Sequence, residues 1–145
     1  MNNHGNKNHS KKVIKLKPLY LAMASIISSY ADAGAIIPDS RDHTPTMSQS
    51  ANGTPVINIV DPNSSGISHN KFSEFNVNQE GVVFNNSMTD GASKIGGFVI
   101  KNNGLTHESS AIISEVTGTK GTQINGAMEV FGKKADVIIA NQNGI

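Results

Sequence analysis

The residues able to do acid–base or ligand chemistry are spread thinly along this chain. Beyond residue 52 the carboxylates are Asp61, Glu74, Glu80, Asp90, Glu108, Glu115, Glu129 and Asp136. Glycoside cleavage needs two carboxylates facing one bond, and Ca²⁺-assisted cleavage needs several carboxylates around the ion. No two of these acids stand at i, i+2, the spacing that puts both side chains on one face of a strand. His43, His69 and His107 lie far apart in sequence, without the short spacing of zinc ligands. There is no Cys, which removes thiolate metal sites, cysteine nucleophiles and disulfides. No phosphate-binding glycine loop occurs. The pattern predicts solvated surface acids, with no catalytic centre, metal or cofactor. An enzyme acting on acidic polysaccharides is the alternative that this spacing disfavours.

The elements that would carry these residues are short and extended. Val56-Ile57-Asn58-Ile59-Val60 is β-branched and follows Pro55, which suits a strand's start or edge. Similar runs are Gly81–Phe84, Gly97–Ile100, Ala111–Val116, Met128–Phe131 and Asp136–Ala140, each bounded by Gly, Asn, Asp or Ser. Residues 34–53, with Pro38, Pro45 and many Ser, Thr and Asp, read as a loose leader containing one apolar pair, Ile36-Ile37. No helical apolar period appears in this part of the chain. Short strands at this spacing fit an all-β sandwich or a β-helix equally. Asn recurs beside or within the strands at 58, 76, 85, 102, 125 and 141. In a solenoid such residues could hydrogen-bond from coil to coil, although Asn is also simply a good turn residue.

The first 33 residues read as an address. Lys7, Lys11, Lys12, Lys15 and Lys17 precede the apolar run Leu19–Ile27, and Ala31-Asp32-Ala33 comes after it. This is the charged, apolar and small-residue order of a secretory signal peptide, with cleavage expected between Ala33 and Gly34 or after Ala35. The apolar run is shorter than the ~20 residues of a membrane span. Removing 1–33 leaves seven basic and ten acidic residues, a chain about three charges negative. That balance offers no basic patch for nucleic acid.

From Asn52 onward the chain resembles the secretion domain of two-partner secretion exoproteins, the haemagglutination activity domain that begins filamentous haemagglutinins, secreted haemolysins and contact-dependent growth-inhibition toxins. The resemblance rests on blocks in the family's order: Asn52–Ile59, Pro62-Asn63, Gly66–Phe72, Phe75-Asn76-Val77, Glu80–Ser87, Ile95-Gly96-Gly97, Ile113–Gly118, Ile124-Asn125-Gly126, Glu129-Val130 and Gly132–Ile145. The family's NPNL motif corresponds to Asn102-Asn103-Gly104-Leu105, and its NPNGI motif to Asn141-Gln142-Asn143-Gly144-Ile145. Both lack the family's proline, which would hold φ near −65°, so each turn is expected to be kept but loosened. Asn and Gly remain where a positive φ would be needed.

The resemblance implies a right-handed parallel β-helix with an N-terminal cap. It divides the chain into a signal peptide (1–33), a leader entering the cap (34–52) and a partial secretion domain (53–145). It implies export by the general secretion machinery into the periplasm of a Gram-negative bacterium. There the periplasmic POTRA domains of an outer-membrane β-barrel transporter recognise the unfolded chain. The chain then folds outside and nucleates folding of the rest of the exoprotein. His69, inside a family-like block, is expected to serve the cap. Contact with a host or neighbouring cell would fall to parts of the longer protein. Because the chain stops inside the family domain, the resemblance further implies a truncated or split gene product, or a deliberately short form.

Overall fold

The computed structural model describes residues 34–145. The signal-peptide reading of 1–33, with Ala31 and Ala33, lies outside the described residues. Within them the chain forms ten short strands and no helix: β1 (Ile36–Pro38), β2 (Thr46–Gln49), β3 (Pro55–Asn58), β4 (Ile67–Phe75), β5 (Val82–Asn86), β6 (Gly91–Ser93), β7 (Gly97–Val99), β8 (Ala111–Val116), β9 (Met128–Gly132) and β10 (Asp136–Asn141).

Two parallel ladders define the architecture. One runs β3-β5-β9 and the other β4-β8-β10. Successive coils are therefore β3–β4, β5–β8 and β9–β10, each lying on the previous one. Ile57 sits over Phe84 and Phe84 over Val130, while Phe72, Val116 and Asn141 form the matching column opposite. A third face is marked by one parallel bridge, Val77 to Ile124. This is a β-helix, and the choice left open between sandwich and solenoid falls to the solenoid. At the starting end, β1 pairs antiparallel with β4 and β2 antiparallel with β3. These two strands cap the first coil.

The narrow interior is filled by one column of apolar side chains. Ile57, Phe72, Phe75, Val82, Phe84 and Ile112 are fully buried or nearly so. The Phe72 and Phe75 rings meet edge to face at 5.0 Å, and Phe75 stacks near Phe84 at 6.3 Å. Each such side chain contributes about 1.5–3 kcal/mol by leaving water.

The second coil differs from its neighbours. Asn58 is followed by β4 after a short loop, but β5 is followed by β8 only after the β6–β7 hairpin. That hairpin lies against the outside of the β2-β3-β5-β9 sheet. Val99 and Ile95 pack there on Val56, Val83 and Phe131. Every residue of β5 is consequently buried, on both faces of the strand. Glu129 fastens the hairpin from the third coil by accepting the backbone N–H groups of Lys94 and Ile95 at 2.8 and 2.9 Å.

Residues 34–53 differ from the loose leader expected: they contain β1 and β2. The expected coil-to-coil hydrogen bonds of Asn are made by Asn76, Asn85, Asn102 and Asn141, but Asn meets Asn in only one of them, where the Asn85 amide donates to Asn58 Oδ1 at 2.8 Å. The next position in that column is Phe131. Most of the other Asn side chains bond to backbone instead.

Candidate functional site

Asn102 follows the hairpin where the chain re-enters the second coil. Its backbone N–H donates to Ser87 O at 2.9 Å, and its carbonyl accepts the Leu105 N–H at 3.3 Å, closing a four-residue turn. Its side-chain oxygen accepts the Gly104 N–H at 2.9 Å. The side-chain amide donates to Ile59 O at 2.8 Å and to Asn85 O at 3.1 Å. One Asn thus shapes its own turn and ties the first coil to the second, which explains why a short amide side chain is needed here. Asn102 is 5% exposed, and Leu105 at 8% belongs to the core. Asn103 and Gly104 face water.

Asn141 repeats this local geometry. Its oxygen accepts the Asn143 N–H at 2.9 Å, and its carbonyl accepts the Gly144 N–H at 3.2 Å. Its amide donates to Lys120 O at 3.0 Å and to Thr122 Oγ1 at 2.9 Å. The Asn143 amide reaches Gly118 O at 2.8 Å. Here the surroundings are open: Gln142, Asn143, Gly144 and Ile145 are exposed. A positive φ is needed only in this second turn, at Gly144 (φ 98°). In the first turn neither Asn103 nor Gly104 has one, so the expectation that both motifs retain residues for positive φ is corrected at the first.

The sequence reading does not single out a third turn of this type, which the structure contains. The Asn63 oxygen accepts the N–H groups of Ser65 and Ile67 at 3.0 and 3.1 Å, and its carbonyl accepts the Gly66 N–H at 2.9 Å. Pro62 precedes it. The available signal is Asn with Gly three residues later, a turn pairing.

Cap residues take part in two ion pairs, Arg41 with Asp39 and Lys71 with Asp42. The Arg41 guanidinium, bonded to Asp39 at 3.0 and 3.1 Å through Nε, together with the Thr117 hydroxyl at 2.6 Å, holds the Asp39 carboxyl well below the ordinary range. Lys71 beside Asp42 at 2.9 Å lowers that carboxyl too. The structure joins His43 and His69, which lie far apart in sequence: their rings stack at 4.7 Å, and His69 Nε2 meets Glu115 Oε2 at 2.7 Å. His69 therefore touches the cap loop, whereas His107 lies elsewhere, 3.1 Å from the Thr106 hydroxyl. The Thr106 N–H and hydroxyl both donate to Asp61, at 2.7 and 2.8 Å, and lower its carboxyl. Gly34, on the far side of the expected cleavage point, is held by the Asn78 amide, which donates to its carbonyl at 3.1 Å.

A cleft of about 590 Å³ opens beside the first turn, between Thr46, Ser48 and Asn58 on one side and Ile100, Lys101 and Asn103 on the other. Its one carboxylate, Asp61, is occupied by Thr106. The arrangement holds coils in register.

Comparison with known proteins gives the same picture. The model of the TPS secretion domain family matches residues 34–145. The filamentous hemagglutinin of Bordetella pertussis is 59% identical over 97 residues, which are 67% of this chain and 3% of that protein. The hemolysin of Serratia marcescens is 39% identical over 142 residues, 96% of this chain and 9% of its own length. The 16S rRNA endonuclease CdiA of Enterobacter cloacae is 45% identical over 102 residues, 68% of this chain and 3% of that protein. The crystal structure of a filamentous hemagglutinin secretion domain superposes with a TM-score of 0.71 at 52% identity, covering 77% of this chain and 36% of that one. This chain spans less than a tenth of the curated relatives named here.

Proposed function

We infer the function from one premise: this chain belongs to the TPS secretion domain family, the N-terminal secretion-targeting module of filamentous-haemagglutinin-like exoproteins. The general secretion machinery delivers it to the periplasm, and cleavage after Ala33 leaves Gly34 first. The POTRA domains of an outer-membrane β-barrel transporter then read the chain before it folds. Outside the Gram-negative cell the capped first coil forms, and later coils stack on it. The domain is a handle and a folding nucleus, without catalysis of its own. Adhesive or toxic roles, including contact with host or neighbouring cells, belong to the longer protein.

The burial of the first turn carries this reading. Asn102 and Leu105 are the residues that match the outer positions of the family's first motif, and the fold encloses both. A transporter that reads those side chains must meet them before the helix winds. Folding then withdraws them, which releases the chain on the outer side. The non-catalytic reading is supported by acids committed to structure, such as Asp61 on Thr106 and Glu129 on the hairpin tip.

The test compares binding to the purified periplasmic region of the transporter. Phe84→Ala empties the core and costs about 3–5 kcal/mol, so that chain stays largely unfolded with its motif intact. It should bind more tightly than the folded wild type. The double variant Phe84→Ala/Asn102→Ala should lose that gain. Equal binding by folded wild type and unfolded Phe84→Ala would overturn the reading.

A further inference from the structure

We propose that Asn125-Gly126 is a self-modifying site, at which the folded chain deamidates through a succinimide and loosens its own coil stacking. Four Asn-Gly pairs occur, at Asn52-Gly53, Asn103-Gly104, Asn125-Gly126 and Asn143-Gly144. The reaction needs the glycine nitrogen to attack the Asn side-chain carbon. In three pairs that N–H is already donated: Gly53 to Ser50 O at 3.0 Å, Gly104 to Asn102 Oδ1 at 2.9 Å, and Gly144 to Asn141 O at 3.2 Å. Two of the Asn side chains are also tied, Asn52 to Ile95 O and Asn143 to Gly118 O, both at 2.8 Å. Asn125 is exposed, and neither its side chain nor the Gly126 N–H has a partner among the described residues. The surrounding segment, residues 117–127, has one bridge residue, Ile124, and no strand.

The chemistry needs only water. A bond forms from Gly126 N to Asn125 Cγ, the Cγ–Nδ2 bond breaks, and the Gly126 amide proton departs with the leaving ammonia. Water then opens either imide carbonyl. One product is aspartate with a normal backbone. The other is isoaspartate, whose main chain runs through the former side chain and is one carbon longer. The corner has no room for that carbon. The Asn125 N–H donates to Val77 O at 2.7 Å, and a Cβ on Gly126 would already lie 1.9 Å from Asn78 O. Isoaspartate at this position therefore prises the second coil from the first, whereas ordinary aspartate does not.

The experiment incubates the purified native chain at mildly alkaline pH and follows all four sites by peptide mapping that separates aspartate from isoaspartate. Native Asn125 should convert ahead of the other three, and the four rates should converge in strong urea. Native conversion at Asn125 no faster than at Asn52, Asn103 or Asn143 would overturn the proposal. Isoaspartate-containing chains should then unfold at lower urea than the variant Asn125→Asp, which carries the charge without the extra carbon. Equal midpoints for those two would overturn the loosening step.

Discussion

The turns at Asn102 and Asn141 are built from the same hydrogen bonds and placed in opposite surroundings. Each Asn oxygen accepts the N–H two residues on, and each Asn carbonyl accepts the N–H three residues on. At Asn102 the side-chain amide serves two buried carbonyls, and the turn's last residue, Leu105, enters the core. At Asn141 one partner, Lys120 O, and the rest of the motif lie at the surface, and only the other partner, the Thr122 hydroxyl, belongs to a buried residue. The difference separates two roles that a motif alone conflates. Turn geometry comes from local Asn chemistry, whereas the energetic weight comes from what the amide would leave unsatisfied when removed.

Replacing the two residues one at a time puts the largest difference on this comparison. Asn102→Ala strands Ile59 O and Asn85 O inside the fold and removes the acceptor of the Gly104 N–H, so it should cost about 3 kcal/mol. Asn141→Ala leaves one carbonyl that water can reach, Lys120 O, and one hydroxyl on the buried Thr122, so the cost should be smaller, about 1–2 kcal/mol. Urea midpoints at unchanged m-value measure both. Equal losses would mean that burial does not distinguish the turns.

A smaller effect comes from acid. Asp61 pins the segment just after the first turn by accepting from the Thr106 N–H and hydroxyl, and the second motif, Asn141–Ile145, contains no carboxylate side chain. The Asp61 carboxyl lies below its ordinary value because of those bonds. A lowered folded-state value means that the ionised form is favoured by folding. The stabilisation is complete above the ordinary Asp value of about 3.9 and is lost as pH falls through the lower folded-state value. In an NMR titration the Thr106 amide should shift with a midpoint below that ordinary value. Asp61→Asn should abolish the Thr106 response. A Thr106 midpoint at or above the ordinary value would refute the assignment.

The positions of these elements are legible from sequence to different degrees, for physical reasons. The runs at Val82, Ala111, Met128 and Asp136 are β-branched or apolar and stand where strands form. The longest strand, β4, gives no such signal, because two of its inward positions are Ser68 and Asn70. They are satisfied inside: the Ser68 hydroxyl donates to Val60 O at 2.6 Å, and Asn70 Oδ1 accepts the Val60 N–H at 2.8 Å. Polar residues at core positions invert the alternation from which a strand is read. The cap strands β1 and β2 are hidden because they are three and four residues long and owe their form to pairing with β4 and β3. The His43–His69 stack is invisible because separation along the chain says little about distance between a cap loop and a coil. The two turn motifs come from family resemblance, and their unequal burial requires the hairpin to be in place.

The smallest effect is the sharpest test of the claim that the turns share one geometry. The family's proline belongs at the second turn position, where Asn103 and Gln142 stand. Neither backbone N–H is used in a hydrogen bond among the described residues, and neither residue has a positive φ. A proline there removes no bond and matches the φ that turns favour at this position. Because the gain comes from restricting the unfolded chain, Asn103→Pro and Gln142→Pro should each stabilise by about 0.4–1 kcal/mol, whatever their different surroundings in the fold. If urea midpoints rise for both, the buried and exposed turns share a backbone and differ only in surroundings. If Gln142→Pro stabilises while Asn103→Pro destabilises, the likeness stops at the hydrogen bonds: entry into the core at Leu105 has bent the first turn away from the φ that proline requires.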